Sequence, residues 1–305
     1  MLARLIGILL FFSTLSFAGI TDEVRESLAQ KNLAAAESRI RSYRTRQGVD
    51  ADYLEALSWI ARASLLVGQL DRAESYAKQT DTLCRQLLLK RPLDAEPHLP
   101  IALGAALEVQ AQVLAARGDH AQAVALLRRS LNTYRNTSIR PRLQKNLNLL
   151  DLAGQPAPSL QLAQYLGPKP PTLSQLHGSP VLLFFWAHWC ADCKVEGPVI
   201  SRLRSEFGAR GLTLLAPTQL YGYAAQGEDA QPQDELPYIK RVWQHFYPGL
   251  QNIPVPVSQE NFNLYGASTT PTLVLLGRDG RVALYHPGLM PYEELRSAID
   301  KVIAR

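Results

Sequence analysis

The sequence predicts two domains of different class: an all-α helical-repeat domain, followed by an α/β domain in which helices flank a central mixed sheet. In residues 21–150, which are rich in Ala, Leu, Arg and Gln, apolar side chains recur at intervals of three and four, as in amphipathic helices. After residue 180, short apolar runs alternate with helical patterns, as in α/β proteins. Gly154, Pro156 and Pro158 end the helical pattern between the two parts. A chain of 305 residues is long enough for two cores, and we expect domains at 19–151 and 152–305.

Residues 1–18 have the pattern of a secretory signal peptide. Arg4 precedes the apolar stretch 5–12, and small residues at Ser16 and Ala18 suit a signal peptidase. This stretch is shorter than the roughly 20 apolar residues of a membrane helix, so cleavage is favoured over anchoring. The residue directly after the cleavage site is Gly19 and not a cysteine, which argues against a lipoprotein. We therefore expect an exported protein, in the periplasm or an equivalent compartment.

The helical half repeats a helix, a glycine turn and a second helix. Gly68 and Gly118 mark two such turns, and both are followed by an alanine five residues later. This arrangement resembles tetratricopeptide-like repeats, although the glycines are about 50 residues apart whereas that repeat has about 34. A helical bundle without repeats is the alternative. Stacked repeats provide concave surfaces for a protein partner; otherwise this half is a spacer or a stabilising cap.

Strands and helices alternate in the second half. Strands are expected where apolar residues run together, at 181–187, 212–216, 272–276 and 282–286. Helical periodicity is found at 192–209, 234–247 and 292–303. The polar segment 221–232 is too long for a simple turn and is a candidate flap over a site.

Two cysteines three residues apart, Cys190 and Cys193, lie where the first of these strands gives way to a helix. At the start of a helix, free N–H groups and the helix dipole stabilise a thiolate, so Cys190 is the candidate nucleophile. Cys193 lies one turn further on and can attack a mixed disulfide formed at Cys190. The two cysteines are therefore expected to form a redox-active disulfide that needs no metal and no organic cofactor.

Two other interpretations of the cysteines are less favoured. A zinc site generally has four Cys or His ligands, yet the only further cysteine is Cys84, which falls on the apolar stripe of a predicted helix as a core thiol. A structural disulfide gains little stability from so short a loop.

The residues around the cysteines resemble the TlpA/ResA-like branch of the thioredoxin superfamily. The resemblance extends over residues 154–305 and is carried by Trp186-Ala187-His188-Trp189-Cys190-x-x-Cys193-Lys194-x-Glu196-x-Pro198. It implies a thioredoxin-like fold. It also implies that Pro271 is a cis-proline facing the two sulfurs, that the backbone of Thr270 is presented to a substrate chain, and that Pro198 kinks the active-site helix.

Three neighbours of the cysteines are candidates for binding the substrate or for tuning the reactivity of the cysteine pair. Trp189 offers a flat contact surface next to the nucleophile. Asp192 either complements the helix N-terminus or disfavours the thiolate, which makes the protein more reducing. His188 could favour the thiolate as an imidazolium, but a solvent-facing position at the end of the strand is favoured.

No base for proton transfer can be assigned from the sequence. Many thioredoxins have a buried carboxylate six residues before the first cysteine, where this chain has Phe184. Exported relatives have an acid in an insertion after the next strand, but residues 212–223 are uncharged here. Glu196 and Glu228 are the substitutes, and for each an exposed, solvated position is favoured.

Together these features predict an exported thiol-disulfide oxidoreductase that acts as a protein disulfide reductase. The resemblance implies a role in disulfide maintenance or cytochrome c maturation, with disulfide-containing exported proteins as partners and an upstream thiol reductant. The alternatives are a helical-repeat interaction module with an incidental redox domain, and a thiol peroxidase of the peroxiredoxin type. The net charge of +5 resides mainly in the helical half, but a nucleic-acid partner is not expected for an exported chain.

Overall fold

The computed structural model describes residues 19–304, so the predicted signal peptide lies outside the described residues. Helices alone make up the first half: α1 (Ile20–Ala29), α2 (Leu33–Gln47), α3 (Ala51–Leu66), α4 (Leu70–Leu88), α5 (His98–Ala116), α6 (His120–Thr133) and α7 (Arg140–Asp151). Gly68 and Gly118 have positive φ and make the turns after α3 and α5. These are the helix–turn–helix units that the sequence predicts, whereas their repeat character stays a prediction.

Helix α5 is the centre of the helical half. Its length and composition alone would allow it to cross a membrane, the one helix among residues 19–304 of which this is true. Leu99, Leu103 and Leu107 on this helix are buried in a common core with α3 and with Cys84 of α4. Packing within the domain therefore accounts for the apolar surface of α5.

The second half contains the strands β1 (Tyr165–Leu166), β2 (Val181–Phe185), β3 (Thr213–Leu215), β4 (Val255–Pro256), β5 (Thr272–Leu276) and β6 (Val282–Pro287). The principal sheet has the order β3-β2-β5-β6, with β3 parallel to β2 and the other two pairings antiparallel. It is the mixed sheet that the sequence predicts. All four predicted strands are present: 272–276 has the predicted bounds and 282–286 extends to Pro287, whereas 181–187 is shortened to Val181–Phe185 and 212–216 to Thr213–Leu215.

Helices α8 (Ala191–Phe207), α9 (Pro232–Phe246), α10 (Gln259–Tyr265) and α11 (Tyr292–Ile303) cover both faces of this sheet. Alternate residues of β2 point to opposite faces. Leu182 and Phe184 share a core with α8, α9 and α11. Leu183 and Phe185 share another with α10. The sequence analysis missed α10, which is only seven residues long.

The two halves meet where α7 packs against α10. Arg140 forms a bidentate ion pair with Glu260, with N–O distances of 2.8 and 3.0 Å. The side-chain amide of Asn148 donates to the carbonyl oxygen of Tyr265 at 2.9 Å. Helix α10 ends shortly before the loop that contains Pro271, so the helical half contacts the segment leading to that loop.

Candidate active site

The active-site helix begins at the two cysteines. Cys190 is the N-cap residue of α8, and its sulfur accepts the backbone N–H of Cys193 at 2.9 Å. A sulfur at this position is surrounded by N–H donors and the positive end of the helix, which favour negative charge. In the structure the two sulfurs are joined in a disulfide, with an S–S distance of 2.15 Å.

The two cysteines differ in accessibility. Cys190 retains 3% of its surface, and Cys193 retains none. A partner sulfur can therefore approach Cys190 more easily, while Cys193 is positioned to react with Cys190. Cys84, the third cysteine, is buried in the helical half, where burial raises the pKa of its thiol to about 12. A thiol with so high a pKa is a poor nucleophile.

The loop before β5 closes one side of the site. The peptide bond between Thr270 and Pro271 is cis, the isomer that the resemblance implies. The carbonyl oxygen of Thr270 lies 3.4 Å from the sulfur of Cys190. Gly288, which follows β6, donates its N–H to the carbonyl oxygen of Pro271 at 2.7 Å. The backbone on both sides of the cis bond is thereby held next to the disulfide.

Trp189 and Asp192 lie on the outer side of the cysteines. The indole of Trp189 is 49% exposed, and it contacts the ring of Tyr221 edge-on with centroids 5.6 Å apart. Asp192 is exposed in the first turn of α8. Both side chains can therefore reach a protein that approaches Cys190.

The favoured position of His188 at the surface is wrong. His188 is only 2% exposed, and its ring lies among the rings of Tyr221, Tyr223 and Tyr238 at centroid distances of 5.3 to 5.4 Å. Burial lowers the pKa of His188, which keeps the imidazole neutral near pH 7. The sequence gives no signal for this burial because the three tyrosines come from a distant loop and helix.

The favoured exposed position of Glu196 is also wrong, whereas Glu228 is exposed as expected. Glu196 lies one turn after Cys193 on the buried face of α8 and is 1% exposed. One carboxylate oxygen accepts the N–H of Met290 at 3.1 Å, and the other has no hydrogen-bond partner within residues 19–304. Burial raises the pKa of Glu196, the N–H of Met290 only partly opposing it.

A second buried acid was missed by the sequence analysis. Residues 212–223 include no charged residue of their own, but the carboxylate of Glu235, in the first turn of α9, lies against the part of this segment that follows β3. Its two oxygens accept the N–H groups of Tyr221 at 2.6 Å and Gly222 at 2.9 Å. An acid in the first turn of a helix is common at the surface, so the sequence could not indicate that this one is buried.

The C-terminal half is similar in sequence to several known proteins. Residues 172–303 match the sequence profile of the thioredoxin-like domain family. The thioredoxin-like protein YneN of Bacillus subtilis is 27% identical over 148 residues, which are 48% of this chain and 78% of that protein. The thiol-disulfide oxidoreductase ResA of Bacillus thuringiensis is 26% identical over 149 residues, 49% of this chain and 78% of that protein. A crystal structure of a putative thiol:disulfide interchange protein DsbE from Chlorobium tepidum is 27% identical and covers 50% of this chain and 97% of its own, with a TM-score of 0.37.

These alignments cover about half of the present chain. The match to the family profile begins at Thr172, before β2, and ends at the last residue of α11, so it contains every strand of the principal sheet and the Cys190–Cys193 pair. The C-terminal half of the chain is therefore a thioredoxin-like domain, whose homologues include thiol-disulfide oxidoreductases of the ResA type.

Proposed function

We propose that this protein is an exported protein disulfide reductase. The observation that carries the proposal is the sulfur of Cys190 at the N-terminus of α8, 2.9 Å from the N–H of Cys193 and 3.4 Å from the carbonyl oxygen of Thr270. The first contact favours a thiolate. The second contact places the backbone of Thr270, to which a substrate chain can pair, next to the attacking sulfur.

The exchange follows from the positions of the two sulfurs. In the dithiol form, the Cys190 thiolate attacks one sulfur of a partner disulfide, and the other partner sulfur leaves as a thiolate. Cys193 then loses its proton and attacks the sulfur of Cys190, which releases the partner as a dithiol and forms the Cys190–Cys193 disulfide. Two electrons pass to the partner, and an upstream thiol reductant returns the protein to the dithiol form.

Glu196 is the best-placed proton acceptor for Cys193. Residues three apart on a helix have Cβ atoms about 5–6 Å from each other, and both side chains lie on the buried face of α8. One oxygen of Glu196 has no hydrogen-bond partner within the described residues. Burial raises the pKa of Glu196 above its ordinary value, which makes its carboxylate a stronger base for the thiol proton.

Two further features support the proposal: residues 1–18 support export, and the negative charge of Asp192 supports reduction rather than oxidation of the partner. The pattern of residues 1–18 suits a cleaved signal peptide. Asp192 is the acid in the first turn of α8. A negative charge near Cys190 disfavours the thiolate and hence the reduced form, which makes the dithiol a stronger reductant.

Trapping with a Cys193→Ser variant tests the proposal. Because this variant cannot resolve the mixed disulfide, we expect it to accumulate adducts with exported proteins that contain disulfides. The wild-type protein should also reduce insulin with dithiothreitol as the electron source. Cys84→Ser is the matched control, since it removes the buried thiol and should change neither result.

Three outcomes contradict the proposal. If Cys190 and Cys193 do not interconvert between disulfide and dithiol in redox buffers, the redox assignment is wrong. Rapid consumption of hydrogen peroxide without insulin reduction would favour a thiol peroxidase. The absence of adducts with Cys193→Ser would favour an interaction module, in which the helical half binds a partner.

A further inference from the structure

The carboxylate of Glu235 has no role in the thiol exchange described above. It is 1% exposed. A buried carboxylate loses its hydration, so other polar groups of the protein must compensate for that loss. The compensation comes from the N–H groups of Tyr221 and Gly222, at 2.6 and 2.9 Å, and from the N-terminus of α9, where Glu235 lies in the first turn. A carboxylate thus holds two consecutive residues of the segment after β3 against α9.

Tyr221, one of the two residues held, supports the exposed side of the active site. Its ring contacts Trp189 edge-on at 5.6 Å and His188 edge-on at 5.4 Å. Its other contacts include the ring of Phe262 in α10 at 6.3 Å. Trp189, which directly precedes Cys190 in the chain, is 49% exposed, and the ring of Tyr221 is its aromatic neighbour.

His188 fills the space behind this contact. Its Nε2 atom is 3.5 Å from an oxygen of Glu235, without a hydrogen bond to any described residue. The imidazole is neutral near pH 7, since burial lowers its pKa and the positive charge of Lys194 adds to this effect, although Glu235 opposes it. The carboxylate is therefore compensated by the two N–H groups rather than by an imidazolium.

From these contacts we propose that Glu235 is a positioning residue, which fixes Tyr221 and thereby holds the indole of Trp189 as a contact surface for disulfide-containing polypeptides. The inference rests on the proposed function, because it concerns the substrates of the same site. A polypeptide disulfide presents flanking residues to Trp189. A small disulfide such as hydroxyethyl disulfide presents almost nothing but its sulfurs.

Glu235→Gln tests the role with little change in shape. An amide supplies one acceptor oxygen in place of two, so one of the two N–H groups loses its partner. Asp234→Asn is the matched control, because Asp234 is the neighbouring acid in the same turn, is exposed, and loses the same charge. Cooperative urea unfolding of both variants checks that they fold.

The first measurement is acrylamide quenching of Trp189 fluorescence in the oxidised protein. A Trp59→Phe background removes the half-buried tryptophan of the helical half, and the remaining two, Trp186 and Trp243, are buried. We expect the quenching constant of Trp189 to rise about twofold in Glu235→Gln, and to stay unchanged in Asp234→Asn.

The second measurement compares two substrates. Glu235→Gln should lower kcat/KM for insulin about three- to tenfold, which corresponds to about 0.6–1.4 kcal/mol and lies within the range for an aromatic contact. It should change kcat/KM for hydroxyethyl disulfide by less than about twofold. If Glu235→Gln does not fold, Tyr221→Ala takes its place with the same expectations, and Tyr221→Phe, which retains the ring, should behave as wild type.

The results separate the two proposals. Quenching and insulin turnover equal to those of Asp234→Asn would overturn the positioning role. An equal loss on both substrates would also overturn it, because it would mean that Glu235 acts on the sulfur chemistry. If the wild-type protein reduces neither substrate, the proposed function fails, and the quenching comparison alone then decides whether Glu235 fixes Trp189.

Discussion

Replacement of Gly266 by alanine should weaken the contact between the two halves of the protein. Gly266 follows α10 with φ +60°, in the left-handed region that favours glycine. A Cβ atom at this position would lie 2.2 Å from the backbone nitrogen of Lys145 and 2.6 Å from the carbonyl carbon of Gln144. Both atoms belong to the backbone of α7, so no side-chain rotation can relieve the overlap.

The expected loss of stability can be built up from these contacts. An alanine in the left-handed region costs about 1 kcal/mol. Relief of the overlap requires α7 to move by about 1 Å, which breaks the hydrogen bond from Asn148 to Tyr265, worth about 1 kcal/mol. The ion pair of Arg140 and Glu260 is partly exposed and adds about 0.5 kcal/mol. We expect Gly266→Ala to lower the free energy of unfolding by about 2–4 kcal/mol.

Gly211→Ala is the matched control. Gly211 also has positive φ, +94°, but apart from its two neighbours in the chain no residue comes within 4 Å of the added Cβ, so only the backbone cost of about 1 kcal/mol is expected. Urea unfolding followed by far-UV circular dichroism and by tryptophan fluorescence measures both variants. If Gly266→Ala loses no more stability than Gly211→Ala, the packing of α7 on α10 does not hold the halves together.

Three further predictions concern the site. Because burial raises the pKa of Glu196, the unfolded chain gives up this proton at lower pH than the folded protein does, so the contribution of Glu196 to the free energy of unfolding should fall as pH rises above about 4.5. Urea unfolding at pH 4.5 and 7 measures this contribution as the difference between wild type and Glu196→Gln, which should become less favourable to the wild type at pH 7; Glu228→Gln is the exposed control. Because burial lowers the pKa of His188, the unfolded chain takes up this proton first, near pH 6.5. The contribution of His188 to the free energy of unfolding should therefore fall as pH decreases from 7.5 to 5.5, by at most about 1.4 kcal/mol per pH unit. The difference in stability between wild type and His188→Gln measures it, and a difference that does not change with pH would contradict this. Asp192→Ala should make the reduction potential less negative by about 10–20 mV in glutathione buffers. A potential that is unchanged or more negative would leave Asp192 as an ordinary helix-terminal acid.

Much of the fold could be predicted from local patterns. The helical periodicity before residue 150, the glycine turns at Gly68 and Gly118, and the apolar strands of the second half are present where the sequence places them. Such patterns work because helix and strand depend on spacings of a few residues. Helix α10 escaped detection because seven residues are too few to establish a period.

The cysteine motif could also be recognised from the sequence, because Cys190 and Cys193 are neighbours and their chemistry depends on the start of one helix. The surroundings of the motif could not. His188 and Glu196 lie close to the cysteines in sequence and were expected at the surface, yet both are buried.

The sequence by itself therefore determined the class of each half and the two cysteines that form the disulfide. Only the tertiary structure decided which charged side chains are buried beside them. Tyr221, Glu235 and Met290 reach the site from segments about 25 or more residues away along the chain. Burial depends on what packs against a side chain from every direction, and the chain order does not specify those neighbours.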